Sequence, residues 1–409
     1  MSPANTATRT SARLRRLWTF GLGGLLAAVL AGCASNNADR MWVDAKINGK
    51  ALHMAVDTGS TISFLTQPVA DDLGLKITEP PKNVYIPPGR VALGMTEACD
   101  LTLWGTTIRT NLGVEKVPEY VRLEMDGLIG WTQVRDKILE FDAEKREIRP
   151  LDKLPEDVAT WTQLRIQPSV DFMIMDLPDF HGSMGLIFVD TGSTTGVEFS
   201  PALWKLWRVM HPKDPITLCA YFTPGSGLVT VEQSWAHELP LGLFTLKEVP
   251  IEEANPSVTA LTRRHPNVIT FGMAALKRLD LVLDGPRGVV YLRPKQTPPE
   301  PYNHNRLGAV FMPLDETSQF LTAHVLEGSP AYEAGLRDGD ILTYINGRST
   351  ANWLDHPELG VPNFDWPEDR KVYLRYLRNG KEYRVNVQLR DIIGPGSPGY
   401  LSSIAPTVK

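Results

Sequence analysis

The stretch Asp57-Thr58-Gly59-Ser60 decides the fold, and it recurs as Asp190-Thr191-Gly192-Ser193. Each copy directly follows an apolar run, residues 53–56 and 186–189, that predicts a buried strand. A signal for a short helix follows each copy. Two copies in matching contexts predict a duplicated unit that brings two carboxylates together.

The repeat extends well beyond these two quartets. The predicted strands that lead to the two copies are 42–47 and 51–56 around Asn48-Gly49, and 171–177 and 185–189 around a longer loop through Pro178 and Gly182. Helices are predicted after the N-caps Thr66 and Ser200. A later apolar strand ending in glycine, 126–130 and 268–272, closes each unit. Such symmetry indicates two all-β lobes, each with a helix or two.

An Asp-Thr-Gly-Ser turn after an apolar strand, followed later by an apolar-Gly strand, resembles the pepsin/retropepsin superfamily of aspartic proteases. The resemblance covers residues 41–296. It implies a mainly β fold of two pseudosymmetric lobes with short helices, residues 41–155 and 156–296. Because both copies lie in one chain, a monomer would hold the complete catalytic site.

The chemistry of such a site requires one ionised and one protonated carboxyl group around a water molecule. Like charges a few ångströms apart cannot both ionise, so the pair shares a proton and titrates as a unit. The predicted catalytic residues are Asp57 and Asp190. Glycine permits a tight turn and close approach of backbone donors. The supporting residues that the resemblance implies are Gly59 and Gly192 in the turns, Thr58 and Thr191 interlocked beneath the carboxylates, and Ser60 and Ser193 as donors to them. Such donors would favour activity at mildly acidic pH.

Tyr85 and Tyr221 are candidate flap residues, because each precedes a Pro-Gly turn typical of a hairpin that could cover the substrate. The alternative is that they are ordinary tyrosines beside turns.

A third module follows a predicted linker, residues 297–305. Its Ser329-Pro330-Ala331 helix start, Gly339-Asp340 before a strand and Asn346-Gly347 turn resemble a bacterial PDZ domain over residues 306–391. The resemblance implies a β-sandwich-like fold with one or two helices that binds the C-terminus of a peptide. The implied peptide-binding residues, next to a carboxylate loop at 306–308, are Leu307, Gly308 and Val310. Residues 392–409 are rich in Gly, Pro and Ser and predict a disordered tail.

The N-terminus carries a targeting signal. Four arginines precede an apolar run, residues 18–30, that ends in Leu30-Ala31-Gly32-Cys33. This ending resembles a bacterial lipobox, which implies that residues 1–32 are removed, that Cys33 is lipidated, and that residues 33–40 form a tether. The absence of Asp after the cysteine favours the outer membrane, facing the periplasm. A secretory signal or an uncleaved anchor is the alternative.

Composition excludes some functions. The chain has 409 residues and a net charge of −5, and removing residues 1–32 leaves 38 basic and 47 acidic residues, a net of −9. This balance argues against nucleic acid as a partner. No metal site or cofactor is predicted, because no Cys/His cluster has ligand spacing. Cys99 and Cys219 could pair, or both could be free buried thiols.

The sequence therefore predicts a lipid-anchored aspartic endopeptidase of the bacterial cell envelope. Its substrates would be polypeptides, and its PDZ domain would recruit or gate them. The rival hypothesis is a non-catalytic adaptor that binds peptides in the cleft and in the PDZ groove.

Overall fold

The structure, a computed structural model, describes residues 39–79, 91–116, 125–168, 172–180, 182–223, 227–254, 267–296, 302–313, 318, 320–351, 353, 370–395 and 397. The described chain is mainly β and forms two lobes followed by a third domain with a core of its own. None of the helices in these ranges is long and apolar enough to cross a membrane.

In the part of the chain that is described, the first lobe contains one short α-helix, a 3-10 helix Trp131–Gln133 and eleven strands. The α-helix and the strands are β1 Met41–Ile47, β2 Lys50–Asp57, β3 Phe64–Thr66, α1 Gln67–Asp72, β4 Ile77–Thr78, β5 Val91–Thr96, β6 Cys99–Leu103, β7 Thr106–Thr110, β8 Gly113–Lys116, β9 Gly127–Gly130, β10 Ile138–Asp142 and β11 Glu147–Pro150. The Asn48-Gly49 turn joins β1 to β2, with φ of 49° and 84° as such two-residue turns require.

The second lobe has fewer strands in the described part of the chain. Its elements are β12 Thr162–Arg165, β13 Ile174–Phe180, β14 Ser183–Val189, β15 Val197–Phe199, α2 Pro201–Met210, β16 Thr217–Thr223, β17 Gly227–Leu241, β18 Phe244–Glu253, β19 Val268–Phe271, α3 Met273–Leu276, β20 Leu279–Asp284 and β21 Val289–Pro294. Two of these strands, β17 and β18, are long.

The two lobes share one central arrangement of three strands. In the first lobe β2 runs parallel to β9, and β3 runs antiparallel to β9. In the second lobe β14 runs parallel to β19, and β15 runs antiparallel to β19. The predicted duplication is thus present in the sheet topology, and it delivers an Asp at the end of an equivalent strand in each lobe.

The lobes are joined by strands as well as by packing. β10 pairs antiparallel with β20, with Phe141 opposite Leu281, so a single sheet crosses from one lobe to the other. One cluster of buried apolar side chains runs through both lobes. A shared sheet and a shared core fix the position of one Asp relative to the other.

The third domain has a separate apolar core. Its elements are β22 Ala309–Pro313, β23 Leu321–Val325, α4 Pro330–Glu333, β24 Ile341–Ile345, β25 Arg348–Ser349, β26 Lys371–Arg378 and β27 Lys381–Gln388. Ser329 caps α4 as predicted, since its Oγ accepts the Tyr332 N–H at 3.2 Å. Asn346-Gly347 and Asn379-Gly380 form turns, all four residues with positive φ.

Several local predictions were wrong. No long loop separates β13 from β14, because β13 continues through Pro178 to Phe180 with an irregular register that accommodates the proline. Thr66 stands at the N-terminus of α1, but its side chain makes no cap hydrogen bond. The end of the predicted linker and the start of the predicted tail are packed, since Asn305 and Ile393 are each 1% exposed.

Candidate active site

The two aspartates occupy equivalent positions. Asp57 is the last residue of β2, and Asp190 follows the last residue of β14. Equivalent backbone hydrogen bonds close the two turns. The Ser60 N–H donates to the Asp57 carbonyl, and the Ser193 N–H donates to the Asp190 carbonyl, both at 3.2 Å. The repeated quartet therefore folds twice into the same turn.

Each carboxylate lies over the glycine of the other lobe. A Cβ placed on Gly59 would lie 2.7 Å from Cγ of Asp190, and one placed on Gly192 would lie 2.6 Å from Cγ of Asp57. Both aspartates are almost fully buried, with Asp57 0% and Asp190 1% exposed. Only glycine at these two positions leaves room for the carboxyl groups to meet.

Two threonines hold the turns together across the lobe boundary. The Thr58 N–H donates to Oγ1 of Thr191 at 3.1 Å, and the Thr191 N–H donates to Oγ1 of Thr58 at 3.2 Å. Each hydroxyl then donates to a strand of the opposite lobe, Thr58 to the Val189 carbonyl at 2.6 Å and Thr191 to the Val56 carbonyl at 2.7 Å. These four reciprocal hydrogen bonds satisfy the buried amide and hydroxyl groups of both threonines and fix the spacing of the two aspartates.

Backbone amides donate to the carboxylates. The Gly59 N–H reaches Oδ1 of Asp57 at 2.7 Å, and the Gly192 N–H reaches Oδ1 of Asp190 at 2.9 Å. The expectation that Ser60 donates to a carboxylate was wrong, because its hydroxyl closes the next bend by donating to the Ile62 carbonyl at 2.9 Å.

The second lobe carries a buried acidic residue that sequence analysis missed. Glu198 in β15 is 2% exposed, and its Oε1 lies 2.8 Å from Thr195 Oγ1 and 3.3 Å from Ser193 Oγ. Glu198 pairs with Thr270 of β19. At the equivalent position of the first lobe, Phe64 pairs with Leu128 of β9, so an apolar pair there is replaced by a polar pair here. The sequence signal that could have revealed this residue is a glutamate between two apolar residues, Val197 and Phe199.

Burial and neighbouring charges favour a protonated Asp190. Burial raises the pKa of Asp190 well above its usual value, and the nearby charges of Asp57 and Glu198 and a hydrogen bond to Asp57 raise it further. The hydrogen bond from the Gly192 N–H acts in the opposite direction and lowers this pKa. Burial also raises the pKa of Glu198, although hydrogen bonds from Thr195 and Ser193 lower it. The surroundings of the two aspartates therefore differ, because the second lobe has Glu198 where the first lobe has Phe64.

A buried cation lies beside the pair. Arg40, which the sequence assigns to the tether, is 2% exposed, and its Nη1 donates to the Gly192 carbonyl at 2.8 Å. Burial lowers the pKa of its guanidinium, while the charges of Asp57 and Asp190 raise it. Arg40 thus holds the second turn and offsets the negative charge of the pair.

The flap candidates are only partly placed. Tyr85 lies outside the described residues. The backbone of Tyr221 lies in β16, opposite Val229 of β17, so the predicted hairpin exists. The tip of this hairpin, residues 224–226, lies outside the described ranges. The predicted lipidation site, Cys33, also lies outside them. A flap role for either tyrosine stays a prediction.

The predicted peptide-binding residues of the third domain are buried. Leu307 packs in the core of that domain, and Gly308 has a φ of 69° that favours glycine. Val310, expected to line an open groove, instead packs against Ala220 and Leu218 of β16. That expectation was wrong because alternate residues of β22 face opposite sides, and the second lobe covers the side that Val310 faces.

One cavity bounded by described residues lies away from the aspartates. This cavity of about 480 Å³ lies beside α2, lined by Phe199, Leu203, Trp207 and neighbouring residues, and none of its lining residues belongs to the two Asp turns. Within the described ranges, no three His, Cys, Asp or Glu side chains are grouped so as to hold a metal ion. Cys99 and Cys219 are both buried, and no disulfide joins them.

Each of the two β lobes thus presents an aspartate over the glycine of the other. The family described as gag-polyprotein putative aspartyl protease matches residues 43–131, and the PDZ domain family matches residues 322–358. The chain therefore carries a retropepsin-like domain followed by a C-terminal PDZ domain.

Two individual proteins are similar to parts of the chain. A probable periplasmic serine endoprotease, DegP-like, from Marinomonas sp. (strain MWYL1) is 40% identical over 77 residues, which is 19% of this chain. The chain covers 16% of the length of that relative. Among solved structures, the retroviral protease-like domain of Ddi1 from Leishmania major is 19% identical, with a TM-score of 0.22, covering 29% of this chain and 98% of that domain.

Proposed function

We propose that this protein is a lipid-anchored aspartic endopeptidase of the bacterial cell envelope, in which Asp57 and Asp190 activate a water molecule and the PDZ domain recruits or gates polypeptide substrates. The observation that carries the proposal is the placement of each carboxyl group over the glycine of the opposite lobe. Face-to-face carboxyl groups that share one proton are what general acid–base hydrolysis needs.

In the proposed reaction Asp57 is the base and Asp190 is the acid. Asp57 removes a proton from water as the water oxygen attacks the peptide carbonyl, and Asp190 donates its proton to the carbonyl oxygen. The resulting gem-diol collapses when Asp57 passes its proton to the leaving nitrogen and a diol hydroxyl returns a proton to Asp190. Every proton is thus restored, and no covalent enzyme intermediate forms.

The raised pKa of Asp190 determines the pH dependence. The active form has one proton on the pair, and it is lost as pH rises through the pKa of Asp190. Because that pKa is raised, activity should persist toward neutral pH. This direction opposes the mildly acidic preference that serine donors would produce, and it suits a near-neutral compartment.

Inhibitors of two classes test the type of protease, since one similar protein is named a serine endoprotease. A peptide analogue with a hydroxyl in place of the scissile carbonyl mimics the gem-diol and should abolish turnover. A fluorophosphonate that labels activated serines should leave turnover unchanged. Inactivation by the fluorophosphonate with insensitivity to the analogue would contradict the aspartic mechanism.

The anchor is tested at Cys33. In a Gram-negative bacterium the wild-type chain should incorporate radiolabelled palmitate and fractionate with outer membranes, and C33S should lose both properties, because the thiol is the site of acylation. Alanine at the neighbouring Ser35 is the matched control and should change neither. Palmitate incorporation by C33S would refute the anchor.

A further inference from the structure

The edge strand of the PDZ domain is covered by the second lobe. β22 is the end strand of its sheet and pairs there with β23 alone. Ala309 and Phe311 point into the PDZ core, whereas Val310 and Met312 pack with Ala220 of β16. A peptide that extends a sheet pairs with the open edge of its end strand. Here the β16–β17 hairpin lies against that strand.

The side chain of Asn305 occupies the backbone donors at the start of β22. The N–H groups of Leu307 and Gly308 both donate to Asn305 Oδ1, at 2.9 and 3.0 Å. Asn305 Nδ2 donates to the Ala309 carbonyl at 2.9 Å. A chain terminus bound at the end of β22 would offer the same set of groups, an oxygen for two adjacent amides and an N–H for the next carbonyl. The carboxamide therefore imitates the last residue of a peptide.

The same asparagine ties this loop to the hairpin. Its Nδ2 also donates to the Leu218 carbonyl at 2.9 Å, and its own carbonyl accepts the Thr217 hydroxyl at 2.7 Å. Asn305 is 1% exposed and Thr217 is fully buried. Moving the carboxamide out of the loop would break contacts on both sides of the boundary between the domains.

We propose that Asn305 is an internal ligand that closes the PDZ carboxylate loop, so that a polypeptide C-terminus binds only by displacing it and releasing β16. Two amides cannot serve the carboxamide and a carboxylate at once, so the closed contact and the bound peptide exclude each other. A carboxylate forms stronger charge-assisted bonds than a carboxamide, which makes displacement possible. By reciprocity, whatever loosens the hairpin contact strengthens peptide binding. This inference rests on the PDZ domain and not on catalysis.

The test is peptide affinity of the full chain and of N305A. The probes are fluorescein-labelled decapeptides ending in alanine, valine, leucine or phenylalanine, each as the free acid and as the C-terminal amide. Because N305A lacks the internal ligand, at least one free-acid peptide should bind N305A about tenfold more tightly than it binds wild type. The C-terminal amides should bind both proteins equally. T217V, which removes only the hydroxyl bond, should give a smaller gain.

A control variant and a hydrogen-exchange measurement complete the test. N379G changes a distant turn of the same domain and should bind as wild type does. Adding the tightest free acid to wild type should speed hydrogen exchange of the β16 amides. The proposal is overturned if no free acid binds N305A more tightly than wild type, or if none binds either protein. This holds even if the chain proves to be a protease.

Discussion

At the scale of residues, the site is asymmetric although its sequence motif is not. The two quartets are identical, and their threonines and glycines make matching contacts. The difference comes from residues outside the quartets. Glu198 adds negative charge on the side of Asp190, and the guanidinium of Arg40 binds the Asp190 turn through Gly192. Neighbouring charges of this kind decide which carboxyl group keeps the shared proton.

Removing these charges should move the pH–rate profile in opposite directions. E198Q removes a like charge and should lower the pKa of Asp190, so the high-pH limb of kcat/KM moves to lower pH. R40M removes a cation that favours ionised carboxylates, so that limb moves to higher pH. The measurement is kcat/KM across pH for each variant.

Two controls separate charge from folding. R40K keeps the charge and should shift the limb less than R40M does. Gln in place of the exposed Glu382 of the PDZ domain should leave the profile unchanged. Profiles that coincide with the wild-type profile in both E198Q and R40M would contradict the account of the asymmetry.

At the scale of elements, the two lobes begin their first helices differently. Ser200 Oγ accepts the Leu203 N–H at 3.3 Å and so caps α2, whereas Thr66 Oγ1 donates to the Asp126 carbonyl at 3.3 Å and caps no amide of α1. The sequence predicts a cap at both positions. What separates them is the orientation of the side chain, which tertiary contacts set.

S200A should therefore cost more stability than T66A. Loss of a capping hydroxyl lowers the free energy of unfolding by about 0.5–2 kcal/mol. T66A loses only one long hydrogen bond to a carbonyl and should cost less. Urea denaturation of both variants measures the difference, and a larger loss in T66A would refute the assignment of the caps.

Sequence patterns sufficed for the elements that local chemistry determines. The Asn48-Gly49 turn, the strand before each Asp, and the Ser329 cap follow from backbone preferences and apolar periodicity, and all are present. Contacts between distant segments were not predictable in this way. Arg40 and Asn305 stand in polar or proline-rich stretches typical of linkers, and only the folded chain shows that both are buried.

At the scale of the whole molecule, the described residues of the PDZ domain pack on the second lobe at two places. One is the contact of β22 with β16, and the other is formed by Ile393 and Tyr302 against Trp235 of β17. The hairpin that begins at Thr217 therefore has its base against the PDZ domain. The displacement of Asn305 that we propose would therefore act on this hairpin.

The most direct test of the central claim is peptide turnover by D57N and D190N. Purified wild type should cleave a broad peptide library, with products identified by mass spectrometry, and each variant should lose about 10²–10⁴-fold in rate, because either substitution removes one half of the proton exchange. D136N, at an exposed carboxylate, should cleave as wild type does. Turnover that survives in both D57N and D190N, or a folded wild type that binds peptides and cleaves none, would contradict the claim.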